Sequence, residues 1–367
     1  MTITTRKAGL SGLAILGASA LVLTGCASAP EEDPSTEPGA TDFLACMVSD
    51  SGGFDDRSFN QLGKEGLEAA QDELGIEINT VESASEDDFG PNIESLLGQG
   101  CNMIVTVGFL LSAATITAAN ENPDVEFAIV DDALDGDFDG KNDTTNGKPI
   151  LFNTAEAAFL AGYAAAATSQ TGVVGTFGGL QINPVTIFMD GFVDGVAYYN
   201  EQNGASVKAI GWDKASQTGS FTGGFAAGVE AKTAAQNLLD QGADVLLPVG
   251  GPIYQSAAEA IREKGGDIAL IGVDADVYNT DENVKDLLLT SVMKGVDAGV
   301  HDTVVAAAKG EFDATPYVGT LENGGVGLAP FHDWESKVPA DLAATIDDLK
   351  AKIISGEITV TSPATPK

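Results

Sequence analysis

From Phe43 onward, short apolar runs alternate with longer stretches whose apolar positions recur at helical spacing. Runs at 44–48, 76–81, 103–107 and 127–130 predict strands. The stretches at 58–74, 92–99 and 112–121 predict the helices between them. The rhythm then restarts: helices are expected at 155–169, 184–200, 222–241 and 253–264, and strands at 173–177, 207–212, 245–247 and 268–273. Strands joined by helical crossovers make a parallel sheet covered on both faces. Two such series in one chain predict an α/β protein of two doubly wound lobes. A further strand at 287–292 and a helix at 295–309 follow the second series, so the chain is expected to cross back between lobes. The expected boundaries are 42–152 plus 276–312 for the first lobe, 153–275 plus 313–360 for the second, and 361–367 as a tail.

The start of the chain reads differently. Arg6 and Lys7 precede a Gly/Ala/Leu-rich stretch at 10–23, which closes on Leu23-Thr24-Gly25-Cys26. This is the layout of a secretory signal, too short to span a membrane. The Leu-x-Gly-Cys ending resembles the bacterial lipoprotein signal, with 1–25 removed and Cys26 carrying the lipid. Residues 26–41 hold Pro30, Pro34 and Pro38 among small and acidic residues and have no apolar period. They predict a flexible tether reaching roughly 20 Å on average. The protein is thus expected outside the cell, lipid-anchored to the outer face of the membrane.

Composition narrows the function. Of 367 residues, 54 are acidic and 18 basic, a formal charge of −36. No cluster of Lys and Arg exists to neutralise phosphates, which excludes a nucleic-acid partner. His301 and His332 are the only histidines, leaving little for His-based catalysis or zinc sites. The phosphate-cradling glycine patterns of nucleotide sites are missing. No cofactor and no metal is expected. The acidic runs at 86–88 and 135–143 read as exposed loops that depart from the full EF-hand pattern. Cys46 lies in the first predicted strand and Cys101 beside a later one. They are either a disulfide between neighbouring strands or two buried free thiols.

In open parallel sheets, ligands sit beyond the carboxyl ends of strands. The residues there are polar: Asp50, Asp131 and Asp132, Gly250 and Gly251, Asp274, and Lys294 after the late strand. Asp55 or Asp56 suits the cap of the helix near Ser58.

These residues fall within motifs that resemble the basic-membrane-protein family of nucleoside-binding lipoproteins, substrate-binding components of ABC transporters. The opening Val48-Ser49-Asp50-Ser51-Gly52-Gly53-Phe54-Asp55-Asp56-Arg57-Ser58-Phe59-Asn60-Gln61 carries the likeness. It continues in order through Val105-Thr106-Val107-Gly108-Phe109, Gly175-Thr176-Phe177-Gly178-Gly179, Met189-Asp190-Gly191-Phe192, Gly250-Gly251-Pro252, Gly272-Val273-Asp274-Ala275-Asp276 and Thr290-Ser291-Val292-Met293-Lys294.

The resemblance implies a type I periplasmic-binding fold with three hinge crossings, closing on a purine-type nucleoside. It also implies a monomer that delivers its ligand to an ABC permease and performs no chemistry on it. Phe59 and Phe221 stand at the positions of the two rings that sandwich the base, with Phe225 close to the second. Asp50, Asn60 and Asp131 match positions at the base, and Asp274, Lys294 and the Gly250 backbone match the ribose end. Asp50-Ser51-Gly52-Gly53-Phe54-Asp55-Asp56 is also similar to the calcium-binding opening of nucleoside hydrolases, although Gly-Gly-Phe is a residue too long. A sugar or autoinducer binder, or a surface sensor or adhesin on the same scaffold, are the other readings.

Overall fold

The computed structural model describes residues 42–366; the predicted signal, Cys26 and most of the tether lie outside the described residues. The chain opens β1 (Leu44–Ser49), α1 (Phe59–Leu74), β2 (Glu77–Val81), α2 (Phe89–Gly98), β3 (Met103–Val107), α3 (Ser112–Glu121), β4 (Glu126–Val130) and β5 (Gly147–Phe152). It continues α4 (Thr154–Thr168), β6 (Val173–Gly178), α5 (Asn183–Asn203), β7 (Lys208–Ile210), β8 (Trp212–Asp213), β9 (Thr218–Gly219), α6 (Val229–Asp240), β10 (Val245–Val249), α7 (Ile253–Lys264), β11 (Ala269–Asp274), α8 (Val277–Thr280) and β12 (Leu288–Lys294). It closes α9 (Val296–Ala308), β13 (Tyr317–Gly319), β14 (Val326–Leu328) and α10 (Leu342–Ile354).

Twelve of the strands form two six-stranded sheets, β13-β5-β4-β3-β1-β2 and β14-β12-β11-β10-β6-β7, and β8 and β9 pair separately as an antiparallel ribbon. All pairings within the two six-stranded sheets are parallel except β12 with β14. Alternation along β1 explains why each sheet is covered twice. Ala45 and Met47 join a core cluster that includes Leu67 of α1 and Val300 of α9, while Cys46 and Val48 join Ile93 and Leu96 of α2 on the other face. Cys46 and Cys101 are joined by a disulfide within this second cluster. In the second lobe α4 and α5 meet backbone to backbone. A methyl group added at Gly195 would fall 2.0 Å from Phe159 O, and one at Gly162 would fall 2.0 Å from Phe192 O. None of the helices among the described residues is long and apolar enough to cross a membrane.

The chain crosses between lobes three times: between β5 and α4, between β12 and α9, and between β13 and β14. Two expected boundaries move. Residues 288–294 were assigned to the first lobe, but β12 pairs with β11 and β14, and Leu288, Leu289 and Val292 are fully buried there. The chain therefore leaves the second lobe only at Gly295. Residues 317–319, expected in the second lobe, pair with Ile150, Leu151 and Phe152 as the edge of the first sheet.

Candidate functional site

The loop between β1 and α1 is shaped by two carboxylates. Asp56 accepts the backbone N–H groups of Ser58, Asn60 and Gln61 at 3.0, 2.9 and 3.1 Å, and so caps α1. Asp50 accepts Gly52 N–H at 2.9 Å and Asn60 Nδ2 at 2.8 Å, and Asn60 Nδ2 also donates to Asp56 at 3.1 Å. Asn60 thus ties the strand end to the helix start. Burial pushes the Asp50 carboxyl up to about 6, against the hydrogen bonds from Gly52 and Asn60 that favour its charge. Burial raises Asp56 as well.

Two further carboxylates come from equivalent places in the two sheets. Asp131 follows β4 with φ 67°, and Asp274 ends β11 with φ 68°. Left-handed backbone is uncommon for a non-glycine residue, Asp and Asn tolerating it best, and it collects at functional sites. Both side chains reach Lys294, the last residue of β12. Its Nζ donates to Asp131 Oδ2 and lies 3.5 Å from Asp274 Oδ1. The lysine side chain is 2% exposed. Its Nζ sits 4.8 Å from the Phe59 ring centre, 5.4 Å from Phe152 and 5.6 Å from Phe188. Burial acts to lower the Lys294 pKa, but Asp131 and Asp274 outweigh it and hold the ammonium charged. Burial raises both carboxyls, which share a single cation. Asp274 also accepts Ser58 Oγ at 3.3 Å.

These groups face one cleft between the lobes, with about 570 Å³ of empty space counted out to its open mouth. Seven of the eight expected ligand residues line it: Asp50, Phe59, Asn60, Asp131, Gly250, Asp274 and Lys294. Phe221 does not. Its ring packs edge-on against Trp212 at 5.9 Å, and its backbone bridges to Gly178. Phe225 lines the cleft instead, lying so close over Gly250 that a methyl group there would fall 2.6 Å from Phe225 Cδ1. The expected helix at 222–241 begins only at Val229, because Gly223, Gly224 and Gly228 favour an open loop across 220–228. That loop carries Phe225 into the cleft. Asp56, Phe109 and Phe188 also line it. The sequence offers Asp56, like Asp55, only as a helix cap, and nothing in the spacing of Phe109 or Phe188 sets them apart from core residues. Asp132 is held by Ser112 Oγ at 2.6 Å and Leu134 N–H at 2.7 Å and is not among the lining residues.

The cleft therefore offers buried carboxylates, one buried ammonium and aromatic faces. Such a surface binds a guest with several hydroxyl or amine donors and a flat apolar ring. The sequence profile described as "ABC transporter substrate-binding protein PnrA-like" matches residues 43–363. The chain belongs to this family. A "CD4+ T-cell-stimulating antigen" of Listeria innocua is 31% identical over 366 residues, covering 95% of this chain and 96% of its own. The "ABC transporter nucleoside-binding protein BmpA" of Lactococcus lactis is 30% identical over 376 residues, with coverages of 97% and 99%. Among solved structures, an ABC transporter solute-binding protein of Aeropyrum pernix superposes with a TM-score of 0.76 at 26% identity, over 88% of this chain and 94% of the other. The chain is thus an ABC transporter substrate-binding protein with the periplasmic-binding type of fold, and it serves a permease by binding a small molecule.

Proposed function

We propose that this substrate-binding protein captures nucleosides, purine nucleosides foremost, and releases them unaltered to the permease while a lipid on Cys26 holds it at the outer face of the membrane. The observation that carries the reading is the Asp131–Lys294–Asp274 triad buried beside Phe59 and facing Phe225's cleft.

The chemistry of a nucleoside answers that surface. A base stacked on Phe59 and Phe225 gains roughly 1–3 kcal/mol per ring. The vicinal ribose hydroxyls donate to Asp274, each charge-assisted bond contributing about 1.5–3 kcal/mol. Lys294 donates to ribose oxygens while holding the carboxylates together. Asp50 presents its Oδ2 acceptor to the base edge, held in place by Asn60, whose amide N–H groups go to Asp50 Oδ1 and Asp56 Oδ2, and the Gly250 backbone closes the ribose end. The lipoprotein ending at Leu23-Thr24-Gly25-Cys26 supports the anchor, and the likeness to a nucleoside-binding relative supports the ligand.

A hydrolase needs a metal-activated water held by converging carboxylates. In the cleft, both oxygens of Asp56 and Oδ1 of Asp50 are instead taken up by Asn60 and backbone N–H groups. Among the described residues, the three acids that gather closely enough to hold a metal ion, Asp135, Asp137 and Asp143, are not cleft-lining, and the two that meet in the cleft, Asp131 and Asp274, meet on Lys294.

The test is native mass spectrometry of protein mixed with an equimolar panel of nucleosides, free bases and sugars. An intact purine nucleoside retained on the chain is expected. Retention of a sugar alone, or steady release of free base from inosine, would overturn the reading.

A further inference from the structure

Beside the cleft, the lobes touch through groups that do not line it. Arg57 lies between the capping Asp56 and Ser58, and its Nη1 donates to Asp281 Oδ1 at 2.5 Å. Asp281 belongs to the second lobe, directly after α8, and its side chain is 3% exposed. The carboxylate is already arranged for a cation. It accepts Tyr254 OH at 3.0 Å, Asn283 N–H at 3.0 Å and Asn283 Nδ2 at 2.9 Å. These donors are neutral and come from its own lobe. Among the described residues, Arg57 is its ion-pair partner, and it comes from the other lobe.

The Arg57 backbone is engaged as well. Thr280 Oγ1 donates to Arg57 O at 2.8 Å, and next door Ser58 Oγ donates to Val273 O at 2.9 Å. Arg57 has φ 59°, a left-handed conformation that disfavours a side-chain-bearing residue and persists where surrounding contacts over-determine it. Here those contacts come from the opposite lobe.

We propose that Arg57 and Asp281 form a closure latch, a positioning pair that sets how long the lobes stay shut without touching the guest. When the lobes part, Asp281 keeps its neutral donors but loses its cation, and Arg57 is free to leave the strained backbone. Closing restores both. A latch of this kind favours the closed state with or without a guest and must break before a bound guest can leave, so its main effect falls on dissociation. The proposal does not depend on which small molecule is bound.

The experiment uses Arg57→Gln and Asp281→Asn, which keep side-chain size, the double variant, and Arg57→Lys. Donor and acceptor dyes on exposed Asp124→Cys in the first lobe and Gln241→Cys in the second report the inter-lobe distance without any guest. Stopped-flow with guanosine reports rates. Each single variant should shift the dye distance toward a common open value and speed dissociation about three- to tenfold, with association within about twofold. The double variant should be no worse than either single one, and Arg57→Lys should recover part of the loss. Unchanged dye distances and dissociation rates, or additive losses in the double variant, would overturn the latch. If the wild type takes up no guanosine, the nucleoside reading fails, and the guest-free dye distance still decides the latch.

Discussion

The two walls of the cleft are built by opposite means. The first lobe presents Asp50, Asp56 and Asn60 already bonded to one another and to the start of α1. The second presents Val249, Gly250, Gly251 and Pro252, with φ of 143° at Gly250 and 49° at Gly251, and the Phe225 ring laid over the glycine backbone. One wall sets a hydrogen-bonded polar network beside the Phe59 and Phe109 rings, and the other sets glycine backbone beside Phe188, Phe225 and apolar side chains of α5. The exceptions meet in the middle, where Asp131 from the first lobe and Asp274 from the second share Lys294. The difference teaches that polar selectivity is arranged before a guest arrives. The second lobe contributes area, the Phe188 and Phe225 rings, and two of the three charged groups, Asp274 and Lys294.

The comparison breaks most severely at its shared point. Lys294→Met leaves Asp131 and Asp274 buried without a cation, and losing one partner of a buried ion pair costs about 3–5 kcal/mol. A large drop in the urea midpoint and loss of nucleoside binding are expected. A fully stable variant would show that the triad is not what holds the centre together.

A sharper cut separates wall from scaffold in the second lobe. Phe225→Ala should weaken nucleoside binding by roughly 1–3 kcal/mol with little effect on stability. Phe221→Ala should do the reverse, since its ring supports Trp212 at 5.9 Å. Calorimetry and thermal melts on the pair check this, and equal affinity losses would erase the distinction between the two rings.

The effect that depends on pH belongs to the first wall. The Asp50 carboxyl binds its proton more tightly in the folded chain, at about 6, than at its ordinary 3.8. Its favourable contribution is therefore complete below pH 4 and is lost as pH rises through 6. Asp50→Asn removes that dependence, so the variant should be more stable than wild type at pH 8 by at most about 2–3 kcal/mol. The gain should vanish near pH 4, while nucleoside affinity falls. Melts across pH 4–8 measure it; a pH-independent difference would mean that Asp50 does not titrate in this window.

Much of this was legible in the amino-acid order, for definable reasons. The runs of β1, β3 and β4 are continuous apolar segments because both faces of a parallel sheet are covered. The rule that ligands sit beyond strand ends then found Asp50, Asp131, Gly250 and Asp274. The lobe boundaries were less legible, because a strand such as β12 reads the same whichever sheet it completes. β5 was missed because Gly147, Lys148 and Pro149 interrupt its apolar pattern. The family likeness favours Phe221 with Phe225 close by; the ring that lines the cleft is Phe225, because glycines hold a loop where apolar spacing predicts a helix. The left-handed turns that aim Asp131 and Asp274 at Lys294 leave no mark in residue type, since Asp is common after strands for other reasons.

The most direct measurement is a calorimetric titration with guanosine, guanosine monophosphate and guanine under one buffer. Only the nucleoside should bind tightly. The monophosphate should lose at least about a hundredfold, because its charge enters a cleft of buried carboxylates with no phosphate cradle. Guanine, lacking the hydroxyls for Asp274, should lose about tenfold or more. A monophosphate that binds as tightly as guanosine, or a cleft that ignores all three, would contradict the account.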